Sequence, residues 1–170
     1  MKTTLLSLIF TLVSLVFVSA QEKPVSPHVA ATGKNITVKY GQPSMKGREL
    51  FGDAGSKSLE KYGKVWRIGA DSATTITFKK DGTFGGKPVK AGTYNLFAIP
   101  TAKDWTVILN SELGQWGAYQ YDKIKGKDVL KVTVPNKVSA KAEEKLTFWV
   151  KDNSVDFQWG TAGFSVPVKF

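Results

Sequence analysis

Leu146-Thr147-Phe148-Trp149-Val150-Lys151-Asp152-Asn153-Ser154-Val155-Asp156-Phe157-Gln158-Trp159 carries the clearest structural signal in the chain. Leu146, Phe148 and Val150 fall on one side of an extended chain and Thr147, Trp149 and Lys151 on the other, the period-two pattern of a strand with one buried face. Asp152-Asn153-Ser154 is turn chemistry, because these short polar side chains hydrogen-bond back to nearby backbone. Beyond the turn, Val155, Phe157 and Trp159 alternate with Asp156 and Gln158. Two half-buried strands joined by a polar turn make an antiparallel hairpin.

The same alternation recurs outward from this point. Ile36, Val38 and Tyr40 alternate with Thr37 and Lys39; Ile76 and Phe78 with Thr75 and Thr77; Leu130, Val132 and Val134 with Lys131 and Thr133. Lys80-Asp81-Gly82 reads as the turn of a second hairpin. Phe164, Val166, Val168 and Phe170 share the last such face. Pro167 lies among them and has no N–H, so this strand is expected at an edge or with the missing donor turned outward. Tyr94 to Ile99 leaves neither face polar and is expected to be a central strand buried on both sides, with Trp105 to Leu109 as its antiparallel partner. Helical periodicity is nearly absent; Ser56 to Tyr62 and Ser139 to Lys145 are short polar segments suited to a turn or two of helix. The expectation is an all-β fold: an antiparallel β-sandwich, jelly-roll-like, of about eight to ten strands, with a closed barrel as the alternative.

Residues 1–20 read as a secretory signal: Lys2, an apolar run from Leu5 to Val18, and Val18-Ser19-Ala20 as small residues for cleavage after Ala20. Residues 21–34, with Pro24 and Pro27, are expected as an extended leader, and 35–170 as a single domain. About 150 residues remain after cleavage, enough to bury roughly two-thirds of the unfolded surface. No second long apolar stretch follows, so the mature chain is expected in the periplasm or outside the cell and not spanning a membrane.

There is no cysteine and one histidine, His28, which removes thiol nucleophiles, disulfides, Cys/His zinc sites and histidine triads. No metal and no cofactor is expected. Loss of Lys2 takes the net charge from +10 to +9, which favours anionic neighbours such as acidic glycans or lipid headgroups. The lysines are scattered and form no dense block, so nucleic acid is not an expected partner.

Two segments carry candidate site residues. In Tyr62-Gly63-Lys64-Val65-Trp66-Arg67-Ile68-Gly69-Ala70-Asp71, Trp66 offers a stacking face, Arg67 a fork of donors and Asp71 a carboxylate, although an Arg–Asp pair tying a loop to a sheet would look the same. In Gly114-Gln115-Trp116-Gly117-Ala118-Tyr119-Gln120-Tyr121-Asp122, Trp116 and Tyr119 suit carbohydrate binding, because sugar C–H faces stack on rings; the competing reading makes the rings a cap on the core.

Gly41 to Arg48 lacks the spacing of a phosphate-binding loop, but Arg48 is a candidate anion contact. Asp152, Ser154 and Asp156 alternate like calcium ligands without the glycine and glutamate that complete such a loop. Asp71, Asp104, Asp122 and Asp128 are the acids available for glycoside hydrolysis.

Gln42-Pro43-Ser44, Lys46-Gly47-Arg48, Phe51-Gly52, Tyr62-Gly63-Lys64-Val65-Trp66-Arg67, Gly69-Ala70, Ala73-Thr74-Thr75-Ile76, Ala91-Gly92-Thr93-Tyr94, Leu96-Phe97, Ile99-Pro100, Trp105-Thr106, Asn110 and Gly114-Gln115-Trp116-Gly117 together resemble the exported bacterial family known as domain of unknown function 2911. The resemblance spans nearly the whole mature chain and implies an exported, mostly β single domain. It carries no activity or catalytic residue. Asp71 stands where the resemblance implies Asn, which weakens a general-base role there.

The function expected is a non-catalytic binding domain for a cell-envelope or extracellular component, a glycan or acidic partner. Arg48, Trp66, Arg67, Asp71, Trp116 and Tyr119 are its candidate contacts. The alternatives are a carboxylate-dependent saccharide hydrolase and a structural envelope protein without a small ligand.

Overall fold

The structure is a computed structural model that describes residues 26–170. The signal, its cleavage point and residues 21–25 of the leader lie outside the described residues. Thirteen strands run through the described chain: β1 (His28–Thr32), β2 (Ile36–Gly41), β3 (Phe51–Gly52), β4 (Glu60–Lys61), β5 (Ala70–Phe78), β6 (Gly82–Phe84), β7 (Lys87–Val89), β8 (Gly92–Pro100), β9 (Asp104–Asn110), β10 (Asp128–Pro135), β11 (Glu143–Val150), β12 (Ser154–Gly160) and β13 (Ala162–Lys169). One short helix, α1 (Tyr121–Ile124), precedes β10.

The fold is all-β, with two antiparallel sheets and no closed barrel. One sheet has six strands in the order β1-β2-β5-β8-β9-β10 and the other five in the order β11-β12-β13-β6-β7, while β3 and β4 form a small parallel pair. The strands exceed the number expected because β3, β4, β6 and β7 are only two or three residues long, too short to show alternation, and β1 falls in the expected leader. The end of the expected leader is thus the edge strand β1, paired with β2 from His28 opposite Gly41 to Thr32 opposite Thr37.

The alternating residues of both sheets meet in one core. Tyr40 of β2 packs on Phe148 of β11 at 5.0 Å, Trp105 of β9 on Phe157 of β12 at 5.5 Å, and Phe78 of β5 on Phe84 of β6 at 5.7 Å, all edge to face. Such pairs add specific geometry to the area that each ring buries. As expected, β8 is central and β9 is its antiparallel partner. The outward side of β8 is also covered, since Phe97 and Ile108 pack with Ala73 and Tyr121 in a second apolar cluster under the 111–127 segment.

Three expectations are corrected. Lys80-Asp81-Gly82 does not turn a hairpin, because β6 pairs with β13 and β7 and the chain crosses there to the other sheet. The hairpin is β6–β7, where Gly85 (φ +59°) and Gly86 (φ +78°) supply the two positive φ values that a two-residue turn of the right twist demands. The last strand is not an edge, for β13 lies between β12 and β6. The Pro167 carbonyl accepts from Gly85 N at 2.8 Å, so its donorless nitrogen faces the β6–β7 turn, beyond the Thr83–Phe84 stretch that pairs with β13. Finally, residues 56–62 and 139–145 are not helical. Ser56 and Ser58 bond within a turn, and backbone bonds to the neighbouring segments draw both regions into pairing.

Candidate functional site

Residues 42–69, between β2 and β5, form a long excursion that is fastened at both ends. Near its start, Leu146 N donates to Pro43 O and Met45 N to Glu144 O, laying the chain along β11. Near its end, Trp66 and Ala98 exchange both backbone hydrogen bonds at 2.8 and 2.9 Å, which inserts the excursion beside β8 where β5 has diverged. Trp66 drives this anchoring. Its ring is 2% exposed, stacks on Trp159 at 5.9 Å and 12°, and meets Phe51 and Phe157 edge-on. A ring so enclosed has no face to offer a ligand, so Trp66 is a core anchor and not the exposed stacking face expected of it.

With Trp66 pinned inward, Arg67 emerges at the rim, where it lines a cleft of about 320 Å³ with Ser44, Lys46, Arg48, Glu60 and Trp159. Arg48 is held there by its own loop: Nε donates to Met45 O at 3.0 Å and Nη2 to Ser44 O at 2.6 Å. The structure therefore brings together two candidates, Arg48 and Arg67, separated by 18 residues that include the β3–β4 pair. It adds Lys46, Glu60 and Trp159, which the sequence did not single out as site residues; Trp159 read as core, and nothing in the spacing of Glu60 placed it here.

The electrostatics of this cleft are lopsided. Among the described residues neither Arg48 nor Arg67 has a carboxylate oxygen within 4.0 Å. Among the described residues Arg67 Nε is buried without an acceptor, as are Trp159 Nε1 and the Nε1 of Trp66 stacked on it in the core. Buried donors are nearly always paired, and an orphan costs about 1–3 kcal/mol, so the Arg67 orphan beside the cleft calls for an explanation. The single carboxyl present is Glu60. Burial pushes it up to about 7, against the pull of the Arg67 and Lys61 charges, so near neutrality it is only partly ionised. The cleft is rich in donors and poor in acceptors.

The remaining candidates lie elsewhere. Asp71 sits at φ +62°, and its Oδ2 is 3.2 Å from His28 Nε2 on β1. Its carbonyl accepts from Gly117 N at 3.0 Å, which joins the end of the excursion to the second loop. Left-handed backbone is tolerated best by Gly, Asn and Asp, which accounts for Asp71 without any catalytic duty. Trp116 and Tyr119 are 66% and 77% exposed and line none of the clefts described here, whereas Tyr121 is buried and donates to Asp128 Oδ2 at 2.6 Å.

The four acids available for hydrolysis are dispersed. Asp104 Oδ1 accepts from Thr101, Asp122 lies on the exposed side of α1 beside Lys125, and Asp128 is enclosed by Tyr121, Asn110 and Lys131. None is paired with another carboxyl. Among the described residues no group of three or more His, Asp or Glu side chains is placed to hold a metal, and no helix is long and apolar enough to cross a membrane.

The sequence matches, over residues 22–168, the family model described as Protein of unknown function (DUF2911). The chain belongs to this family. The match spans both sheets and the excursion, and brings no activity with it. No curated protein and no solved structure matches the chain.

Proposed function

We propose that this DUF2911 protein is an exported, non-catalytic binding domain that takes an acidic component of the cell envelope or its surroundings in the cleft between Arg48 and Arg67. The observation that carries the reading is the half-buried Arg67 guanidinium, with an orphaned Nε and, among the described residues, no carboxylate oxygen within 4.0 Å. Such a group in a cleft with Arg48 and Lys46 matches a ligand with several acceptor oxygens, a carboxylate or a phosphate. The N-terminal segment 1–20 and the strongly basic chain support an extracytoplasmic, anionic partner.

Calorimetric titration of the mature protein with inorganic phosphate and with an acidic oligosaccharide tests this reading. Binding is expected, weakened at least tenfold by Arg67→Met. That substitution is expected to leave stability within about 1 kcal/mol or to raise it, because it removes an unpaired charge from a partly buried place. No binding of either probe, or a large loss of melting temperature with binding intact, would assign Arg67 to the framework instead. The hydrolase alternative gains nothing from the dispersed carboxyls. Carbohydrate binding through Trp116 and Tyr119 has one supporting observation, their two exposed rings, and predicts loss of saccharide retention in Trp116→Ala with phosphate binding unchanged.

A further inference from the structure

A second cleft, of about 370 Å³, adjoins the first and shares two of its walls, Arg48 and Trp159. Its character is different. Met45, Leu50, Phe51, Val138 and Ala142 give it an apolar lining, and Gly160 adds no side chain there: at φ +58° a Cβ would come within 2.8 Å of Leu50 Cδ1. Val138 stands at the rim 77% exposed, with no apolar neighbour covering it. The donor-rich cleft and this apolar one thus meet at a guanidinium.

We propose that the two clefts form one bipartite site for an amphiphilic anion, a single alkyl chain ending in a carboxylate or phosphate. The oxyanion sits between Arg48 and Arg67, and the chain lies over Trp159 toward Met45, Leu50 and Val138. This inference rests on the anion-binding reading and specifies its ligand class. Charge complementarity fixes the orientation, because an apolar chain entering the first cleft would desolvate the Lys46, Arg48 and Arg67 charges that line it. Size fixes the class: small-molecule pockets run from about 300 to 1,000 Å³, and a cleft near the lower limit takes one chain of moderate length and not a two-chain lipid. Met45 suits such a lining, because its unbranched side chain adapts to irregular apolar shapes.

Titration of the mature protein with acetate, hexanoate, octanoate, octan-1-ol and inorganic phosphate tests the proposal, with sedimentation against phosphatidylglycerol vesicles as a further arm. Each methylene buried should tighten carboxylate binding about fourfold. Octanoate is therefore expected to bind at least tenfold more tightly than acetate and than octan-1-ol. Val138→Asp, at an exposed position where folding is unaffected, should weaken octanoate about tenfold and leave phosphate unchanged, with melting temperature as the control. Equal affinity for acetate and octanoate overturns the bipartite site while leaving the anion reading standing. Octanoate and octan-1-ol binding alike, with no phosphate binding, overturns both. Retention on vesicles without octanoate binding overturns the single-chain ligand in favour of a membrane surface.

Discussion

Asp71 shows how one residue can look catalytic and be conformational. Its φ of +62° follows Ile68 at +50° and Gly69 at +158°, a run of unusual backbone that redirects the chain from the excursion into β5. Left-handed geometry costs a residue with an ordinary side chain about 1–2 kcal/mol, whereas Asn and Asp compensate by bonding locally. Asp71→Asn should therefore melt close to the parent protein, and Asp71→Val should lose about 1–2 kcal/mol. Thermal unfolding of the two variants checks this; equal losses would make the His28 contact, and not the backbone, the reason for an acid here. Trp66 and Arg67 make the opposite point. They are adjacent in sequence, but alternation sends the ring into the core and the guanidinium to the rim.

At the scale of elements, the β6–β7 hairpin depends on two glycines that are not equivalent. A Cβ at Gly85 would come within 2.6 Å of Val132 Cγ1 on β10, whereas one at Gly86 would meet nothing within 4 Å. Gly86→Ala should therefore cost only the positive-φ penalty, about 1 kcal/mol. Gly85→Ala should add overpacking of about 1–3 kcal/mol to that penalty. Denaturant midpoints compare the pair, and equal losses would mean that the turn does not press on β10. Strands with strong alternation, such as β2, β11 and β12, were legible because one face is core and the other solvent along their length. The β6–β7 hairpin was not, since three-residue strands are too short to establish a period; the Gly85-Gly86 pair was its available signal.

For the whole molecule, the excursion laid across the two sheets makes stability depend on pH. Burial holds the Glu60 carboxyl at about 7, above its ordinary 4.5, so the folded chain keeps a proton that the unfolded chain has released. Glu60's contribution is therefore most favourable below about pH 4.5, declines as pH rises toward 7, and is level above that, a change on the order of 3 kcal/mol. Unfolding free energies across this window should fall with pH for the parent protein relative to Glu60→Gln; parallel curves would mean that Glu60 titrates normally. The proton also tunes the cleft, since a neutral Glu60 leaves Lys46, Arg48 and Arg67 without an internal counter-charge. Neighbouring residues alone were enough for the fold class, the central strand β8 and the β8–β9 pairing, because period-two burial and local turn chemistry are written in them, and the shared motifs were enough for the family. The sheet order, the interior place of β13, the enclosure of Trp66 and the meeting of Arg48 with Arg67, Glu60 and Trp159 were decided only by the tertiary structure. These depend on which distant segments pack together, and a half-buried guanidinium left without a partner becomes visible only when its surroundings are in place.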